Sequence, residues 1–136
     1  MSEIDGPADA LEAMAAGATI IVREMFDAGA VSAVAGIGGG KGAGVFHKIT
    51  KDLPYGFPKL LITSARPALL AEIATTTDTI LLPTLVDLFG LNEFTQLALE
   101  SASKMLVALS WKIPEINLNK KVAITAFGVT TPAVQS

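Results

Sequence analysis

The sequence predicts an α/β protein with a mostly parallel sheet of about four strands, and three observations carry that reading. Segments of apolar residues at three- and four-residue steps alternate with short apolar runs bounded by glycine and proline. A chain of 136 residues, 51% hydrophobic and 17% charged, is the size of one domain and apolar enough to bury a core. A glycine-rich stretch falls between the first predicted strand and the helix after it, the place where ligands meet sheets of this kind.

The elements follow in order. Leu11, Met14, Ala15, Ala18, Ile21, Val22 and Met25 recur at helical spacing, with Pro7 suited to a first turn and Gly29 to the position past the end, so residues 7–28 read as a helix. Residues 30–37 form a small-residue apolar run that fits a strand buried on both faces. Five glycines in seven residues follow, and a helix is expected from Val45 to Leu53 before Pro54, Gly56 and Pro58 break it. Residues 59–64 read as a second strand and 79–87 as a third, with Pro83 marking an irregular or edge position. The stretch between them, 65–78, is ambiguous. Residues 91–112 carry Phe94, Leu97, Ala98, Ala102, Met105 and Leu109 on one helical face, with Asn92 placed to cap the start. Residues 122–127 read as a fourth strand, ending in Gly128-Val129-Thr130-Thr131-Pro132.

Composition excludes several functions. No apolar run approaches the roughly 18 residues of a spanning helix, so a soluble protein without a membrane partner is expected. The amino terminus lacks a secretory pattern and there is no cysteine, which makes the cytoplasm the expected location. Net charge is −3 and the largest basic cluster is the pair Lys120-Lys121, too little for direct nucleic-acid binding. One histidine and no cysteine leave no transition-metal site, although carboxylates remain for Mg²⁺ beside a phosphate.

The candidate chemistry lies in the loops. Gly38, Gly39, Gly40, Lys41 and Gly42 sit between a strand and a helix, where bare backbone N–H groups and the helix dipole receive a phosphate. A tight turn that needs only small residues is the alternative. Gly38, Gly40 and Ala43 fit a loose dinucleotide fingerprint, but Ser64 and Arg66 stand where an acidic ribose ligand belongs, and no Gly-Lys-Ser or Gly-Lys-Thr makes a Walker loop. Thr75, Thr76, Thr77 and Asp78 concentrate hydroxyls and a carboxylate suited to ribose, phosphate or hydrated Mg²⁺, or simply to a turn. Asp87 is either a site acid or a helix cap. His47 is expected about one helical turn past the glycines, without a nucleophile partner, so no catalytic set emerges.

Five segments together carry a resemblance: Gly36-Ile-Gly-Gly-Gly-Lys-Gly42, Gly56-Phe-Pro-Lys-Leu-Leu-Ile-Thr-Ser64, Thr76-Thr-Asp78, Val86-Asp-Leu-Phe-Gly-Leu-Asn92 and Phe127-Gly-Val-Thr-Thr-Pro132. From about residue 8 onward the chain resembles a largely uncharacterised family of bacterial, fungal and plant proteins that includes the tomato inhibitor of tobamovirus RNA replication. The resemblance implies a Rossmann-like three-layer domain, here a partial unit relative to the family. It also implies an ATP-like nucleotide, with or without Mg²⁺, in a cleft lined by Gly38 to Gly42, Thr63, Ser64, Thr76, Thr77, Asp78, Thr130 and Thr131. A viral replication protein is the partner that the plant member implies. Members begin with a further strand and a Thr-Asp-Thr-Lys-Gly-like loop, and they carry a Ser-Gly-Asp-like segment where this chain has Ala65-Arg66-Pro67-Ala68. Because a partial sheet exposes strand edges, a homo-oligomer is expected. The preferred reading is a binding module for a nucleotide or phosphorylated ligand. A protein-interaction domain is the alternative, and a dinucleotide-binding enzyme domain comes third.

Overall fold

A computed structural model describes residues 6–84, 86, 87 and 90–109. Seven elements follow one another: α1 Pro7–Asp27, β1 Val34–Gly38, α2 Gly40–Thr50, β2 Lys59–Thr63, α3 Pro67–Thr76, β3 Ile80–Pro83 and α4 Glu93–Leu109. The three strands are parallel in the order β1-β2-β3, with Ala35 level with Leu60 and Leu60 level with Ile80. The expected fourth strand, 122–127, lies outside the described residues, as do Thr130, Thr131 and Lys120-Lys121.

Helices cover both faces of the sheet, and β2 shows why. All five of its residues are buried, and alternation sends Leu61 to one face and Leu60 and Ile62 to the other. On the first face Leu61 meets Ala43 and Phe46 of α2 and Ile73 of α3, with Val34 and Leu81 packed alongside. On the second, Leu60 and Ile62 meet Ala102 of α4, flanked by Leu99, Met105 and Leu106. The result is a three-layer sandwich of helix, sheet and helix, as predicted.

The boundaries differ from expectation for local reasons. α1 ends in a Schellman motif in which Gly29, at φ +64°, turns the chain; Ala30 N–H then bonds Met25 C=O at 2.9 Å and Gly29 N–H bonds Phe26 C=O at 2.9 Å. Ala30 is therefore committed to the cap, and β1 begins at Val34 rather than at residue 30. α2 starts at Gly40, five residues earlier than expected, because the glycines themselves form its first turn. β3 stops at Pro83, which lacks an N–H, although Thr84 N–H still reaches Thr63 C=O at 2.8 Å. The ambiguous stretch is α3, started by Pro67 in its first turn.

The start of α4 is capped as the sequence predicts. Asn92 Oδ1 accepts from the N–H groups of Phe94 and Thr95, each at 3.0 Å, and Thr95 Oγ1 accepts in return from Asn92 N–H at 2.9 Å.

α1 lies outside α2 rather than on the sheet. Ala15 is its buried residue, Lys48 of α2 pairs with Glu12, and Arg23 reaches Asp52 C=O at 3.4 Å. The apolar set of α1 therefore divides in two. Leu11, Ala15, Ala18 and Val22 turn inward, whereas Met14, Ile21 and Met25 remain exposed, with Ile20 beside them.

Candidate functional site

The site grows out of the junction between β1 and α2. Gly36 gives α2 its closest approach to the sheet, since a Cβ there would lie 2.3 Å from the Phe46 ring. One step on, a Cβ at Gly38 would lie 3.1 Å from Gly42 Cα, so the strand folds directly onto the first turn of the helix. Gly39 is the cap residue, in an extended conformation and without a side chain to cap with. The first intrahelical bond runs from Ala43 N–H to Gly39 C=O at 2.8 Å. That geometry leaves the N–H groups of Gly40, Lys41 and Gly42 without a carbonyl one turn back.

Ser64, at the carboxyl end of β2, stands beside this turn, its Oγ 3.6 Å from where a Gly39 Cβ would be. Gly40 meets nothing within 4 Å at the same point, so the outer side of the turn is open. Lys41 is exposed and makes no ion pair among the described residues, and Arg66 is exposed one residue before α3 on the same edge of the sheet. Thr63 is placed differently: it is fully buried, and its Oγ1 accepts from Ala65 N–H at 3.0 Å, which shapes the turn out of β2. The open first turn of α2 thus places backbone N–H groups that no intrahelical carbonyl takes beside the Ser64 hydroxyl, with the exposed Lys41 and Arg66 on the same edge of the sheet. An open groove of about 260 Å³ between Leu11 and Glu12 of α1 and Gly40, Lys41 and Gly44 of α2 adjoins it.

The structure does not bring Thr76, Thr77 and Asp78 to the glycine turn. They end α3 and precede β3, and in a parallel sheet such a connection lies at the amino edge, about 13 Å from the carboxyl edge along a five-residue strand. Their polar groups are engaged there. Thr76 Oγ1 donates to Glu72 C=O at 2.8 Å, and Thr77 Oγ1 lies 2.9 Å from Thr79 Oγ1. Asp78 Oδ1 receives Lys59 Nζ at 2.6 Å, and its Oδ2 receives Gly56 N–H at 2.6 Å. Burial alone would raise the Asp78 carboxyl, but hydrogen bonds from Lys59 and Gly56 and the Lys59 charge hold it below the ordinary value of 3.8.

His47 lies about one turn past Gly44, the last of the glycines, and nearly two turns from the start of α2 at Gly40, its Nε2 3.4 Å from Thr76 Oγ1. Asp87 is exposed beyond β3, on the carboxyl edge of the sheet. Among the described residues no three His, Asp or Glu side chains gather as metal ligands, and no helix is long and apolar enough to cross a membrane.

Lys59 is the residue that sequence reasoning missed. Its side chain is 1% exposed and donates to Pro54 C=O, Phe57 C=O and Asp78. A signal existed: a lysine opening an otherwise apolar strand needs a buried partner, and the register of Leu60 with Ile80 leaves Asp78 near it.

Three parallel strands between helix layers, with a glycine-built helix start on the carboxyl edge, define a Rossmann-like α/β fragment. The chain belongs to the Uncharacterised protein family (UPF0261) and matches the model of that family's N-terminal domain over residues 3–112. A UPF0261 protein of Rhizobium meliloti is 30% identical over 105 residues, 76% of this chain and 26% of its own. The ToMV resistance protein Tm-1(GCR237) of Solanum lycopersicum is 30% identical over 113 residues, 78% of this chain and 15% of its own, and the ToMV susceptible protein tm-1(GCR26) matches equally well. The chain thus spans about a quarter or less of these relatives.

Proposed function

We propose that the chain is a binding module for a nucleotide or another phosphorylated small molecule, held at the first turn of α2. The observation that supports this most is the uncapped glycine turn at the carboxyl edge of a parallel sheet, with Ser64 alongside. Phosphate oxygens would take the N–H groups of Gly40, Lys41 and Gly42. The Lys41 ammonium and the Arg66 guanidinium would neutralise the remaining charge. An ATP-like ligand is the form that family resemblance favours, and Mg²⁺ would arrive on its phosphates, with Asp87 rather than Asp78 on the correct edge of the sheet. The proposal is for binding, not turnover.

Calorimetric titration with ATP, ADP, NAD and NADP, each with and without Mg²⁺, tests the reading. Saturable binding of an adenine nucleotide is expected, weakened at least about tenfold by Gly40→Val with Lys41→Ala, which is about 1.4 kcal/mol. Because the outer side of Gly40 is open, that variant keeps its fold. No binding by the folded protein, or equal binding by the variant, overturns the assignment.

The exposed row Met14, Ile21 and Met25 on α1 favours a second reading, in which the domain works through protein contacts. The name of the tomato relative is compatible with it, although the resistance and susceptible proteins resemble this chain equally. Under this reading a further copy of the chain is the first partner to test, and a viral replication protein is the partner suggested by the plant relative.

A further inference from the structure

We propose that the open edge of β1 and the exposed apolar row of α1 form one seat, which takes a single extended apolar segment of another protein as an added strand. The proposal deepens the protein-contact reading above and does not draw on the phosphate reading.

Direction and handedness bring the two features together. α1 runs the same way as α2, since Leu11 and Glu12 adjoin Gly40 and Lys41 at one end and Arg23 reaches Asp52 at the other. Around α2, Phe46 faces the sheet and His47 meets Thr76 of α3. The opposite flank of α2, with Val45, faces α1, so α1 lies on the side of β1 away from β2 and overhangs its open edge. Met14, Ile21 and Met25 stand about 100° round α1 from Ala15. In a right-handed helix running from the carboxyl to the amino edge of the sheet, that flank turns toward the plane of the sheet. The other flank holds Glu12, which pairs with Lys48 on the solvent side of α2.

Below the row the backbone is unpaired among the described residues. Val34 N–H points into the sheet, to Pro58 C=O at 2.9 Å, so by alternation Ala35 and Ile37 turn their N–H and C=O groups outward. No described strand meets them there, and Ile37 is 59% exposed. The far edge of the sheet differs. Thr84 N–H points inward, to Thr63 C=O, which leaves Leu81 and Pro83 facing out of β3, and Pro83 has no N–H to offer.

A lone strand fits this seat better than a second copy does. From Met14 to Met25 the row runs about 16 Å along the helix, and a strand as long as the five-residue β1 is about 17 Å. A closed two-fold pairing of β1 strands would be antiparallel and would carry a copy's α2, seated at Gly36 on Phe46, into the space that α1 fills. Contact along the row alone offers each copy roughly 300 Å², against about 800 Å² per partner in a stable interface. An added strand uses α1 as its cover and gains backbone hydrogen bonds as well. The row carries no charge, so the side of the segment that faces α1 is apolar. A second copy on the row is then a weak dimer that the strand displaces.

The probe is the peptide Lys-Val-Thr-Ile-Thr-Val-Lys, joined ahead of Met1 of the full chain by a flexible glycine-serine linker of about twenty residues, which holds it near millimolar effective concentration. A twin fusion carries proline at the centre of the peptide, and the protein's own sequence is intact in both. The Ala35 and Ile37 amides are expected to exchange at least about a hundredfold more slowly with the strand peptide than with its proline twin. The methyl signals of Met14 and Met25 are expected to shift, while that of Met105 on α4 stays. Equal exchange in the two fusions overturns the proposal. Slow edge amides in the parent overturn it too, at every concentration because the chain covers its own edge, or only at high concentration because a second copy does. Slowed edge amides with unmoved Met14 and Met25 overturn it by separating the edge from the row. Light scattering keeps the two readings apart: a dimer that forms without strand addition removes the seat alone, whereas the absence of both removes the protein-contact reading with it.

Discussion

Lys59 Nζ lies 2.6 Å from Asp78 Oδ1, joining the first residue of β2 to the connection that leads into β3. The lysine is 1% exposed and the carboxylate 19%, so the pair is well shielded from solvent. Pro54 and Phe57 carbonyls complete the ammonium, and Gly56 N–H completes the carboxylate. Gly56 takes φ +86° at the centre of a turn closed by Phe57 N–H to Pro54 C=O at 3.1 Å. One ion pair thus fastens a loop to the amino edge of the sheet.

Asp78→Asn is expected to destabilise the fold by about 3 kcal/mol, since it leaves a buried ammonium without its counter-charge. Adding Lys59→Met recovers most of that loss in urea titration, whereas an equally unstable double variant would deny the pair its role. The pH dependence follows from the lowered carboxyl. Its contribution is complete above the unfolded value of 3.8 and is lost as pH falls through the still lower folded value. Parent stability should therefore decline below about pH 4 more steeply than that of Asp78→Asn.

Gly36 and Phe46 form the second fixed contact. Gly36→Ala places a methyl 2.3 Å from the ring and is expected to cost about 1 to 3 kcal/mol by overpacking. Phe46→Leu in the same chain makes room and restores part of the loss. If Gly36→Ala melts like the parent, β1 and α2 are not packed as tightly as described.

How far these features were legible depends on how local their causes are. α1, β2 and α4 follow from periodicity and caps, and the Asn92 cap and the Gly29 turn sit where residue type alone places them. The start of α2 was not legible because glycine lowers helix propensity, while the reason for glycine here is a close approach between Gly38 and Gly42 that only the folded chain reveals. Thr76, Thr77 and Asp78 are grouped with the glycine turn by the family resemblance, whereas their chemistry suits a ligand loop or simply a turn. Their position between a helix and the next strand already implied the amino edge, a topological fact that outweighs residue type. Gly38 to Gly42 and Ser64 do come together, because both follow strands.

Asn92 offers a test confined to one helix end. Asn92→Ala removes the acceptor for Phe94 and Thr95 N–H and is expected to cost about 1 kcal/mol. Asn92→Asp keeps an acceptor and adds a favourable charge at the helix start, so it should stay within a few tenths of a kcal/mol of the parent. Equal losses for the two variants in chemical denaturation would place the cap elsewhere.

The exposed apolar row on α1 gives a surface on which association can be tested. Ala15 is buried against α2, yet Met14 is 55%, Ile21 57% and Met25 41% exposed on the adjacent stripe of the same helix. These three recur at steps of seven and four residues, the spacing of a helix that pairs along one face. Two copies joined along this stripe would cover them, so light scattering is expected to give a dimer mass that rises toward completion with concentration. Ile21→Glu puts a carboxylate in the middle of the stripe without touching the buried face, and it is expected to shift the protein to monomer while leaving its melting temperature in dilute solution within about 2 °C, as surface substitutions do. A monomeric parent at high concentration would return the stripe to solvent and leave the glycine turn as the surface on which function has to be sought.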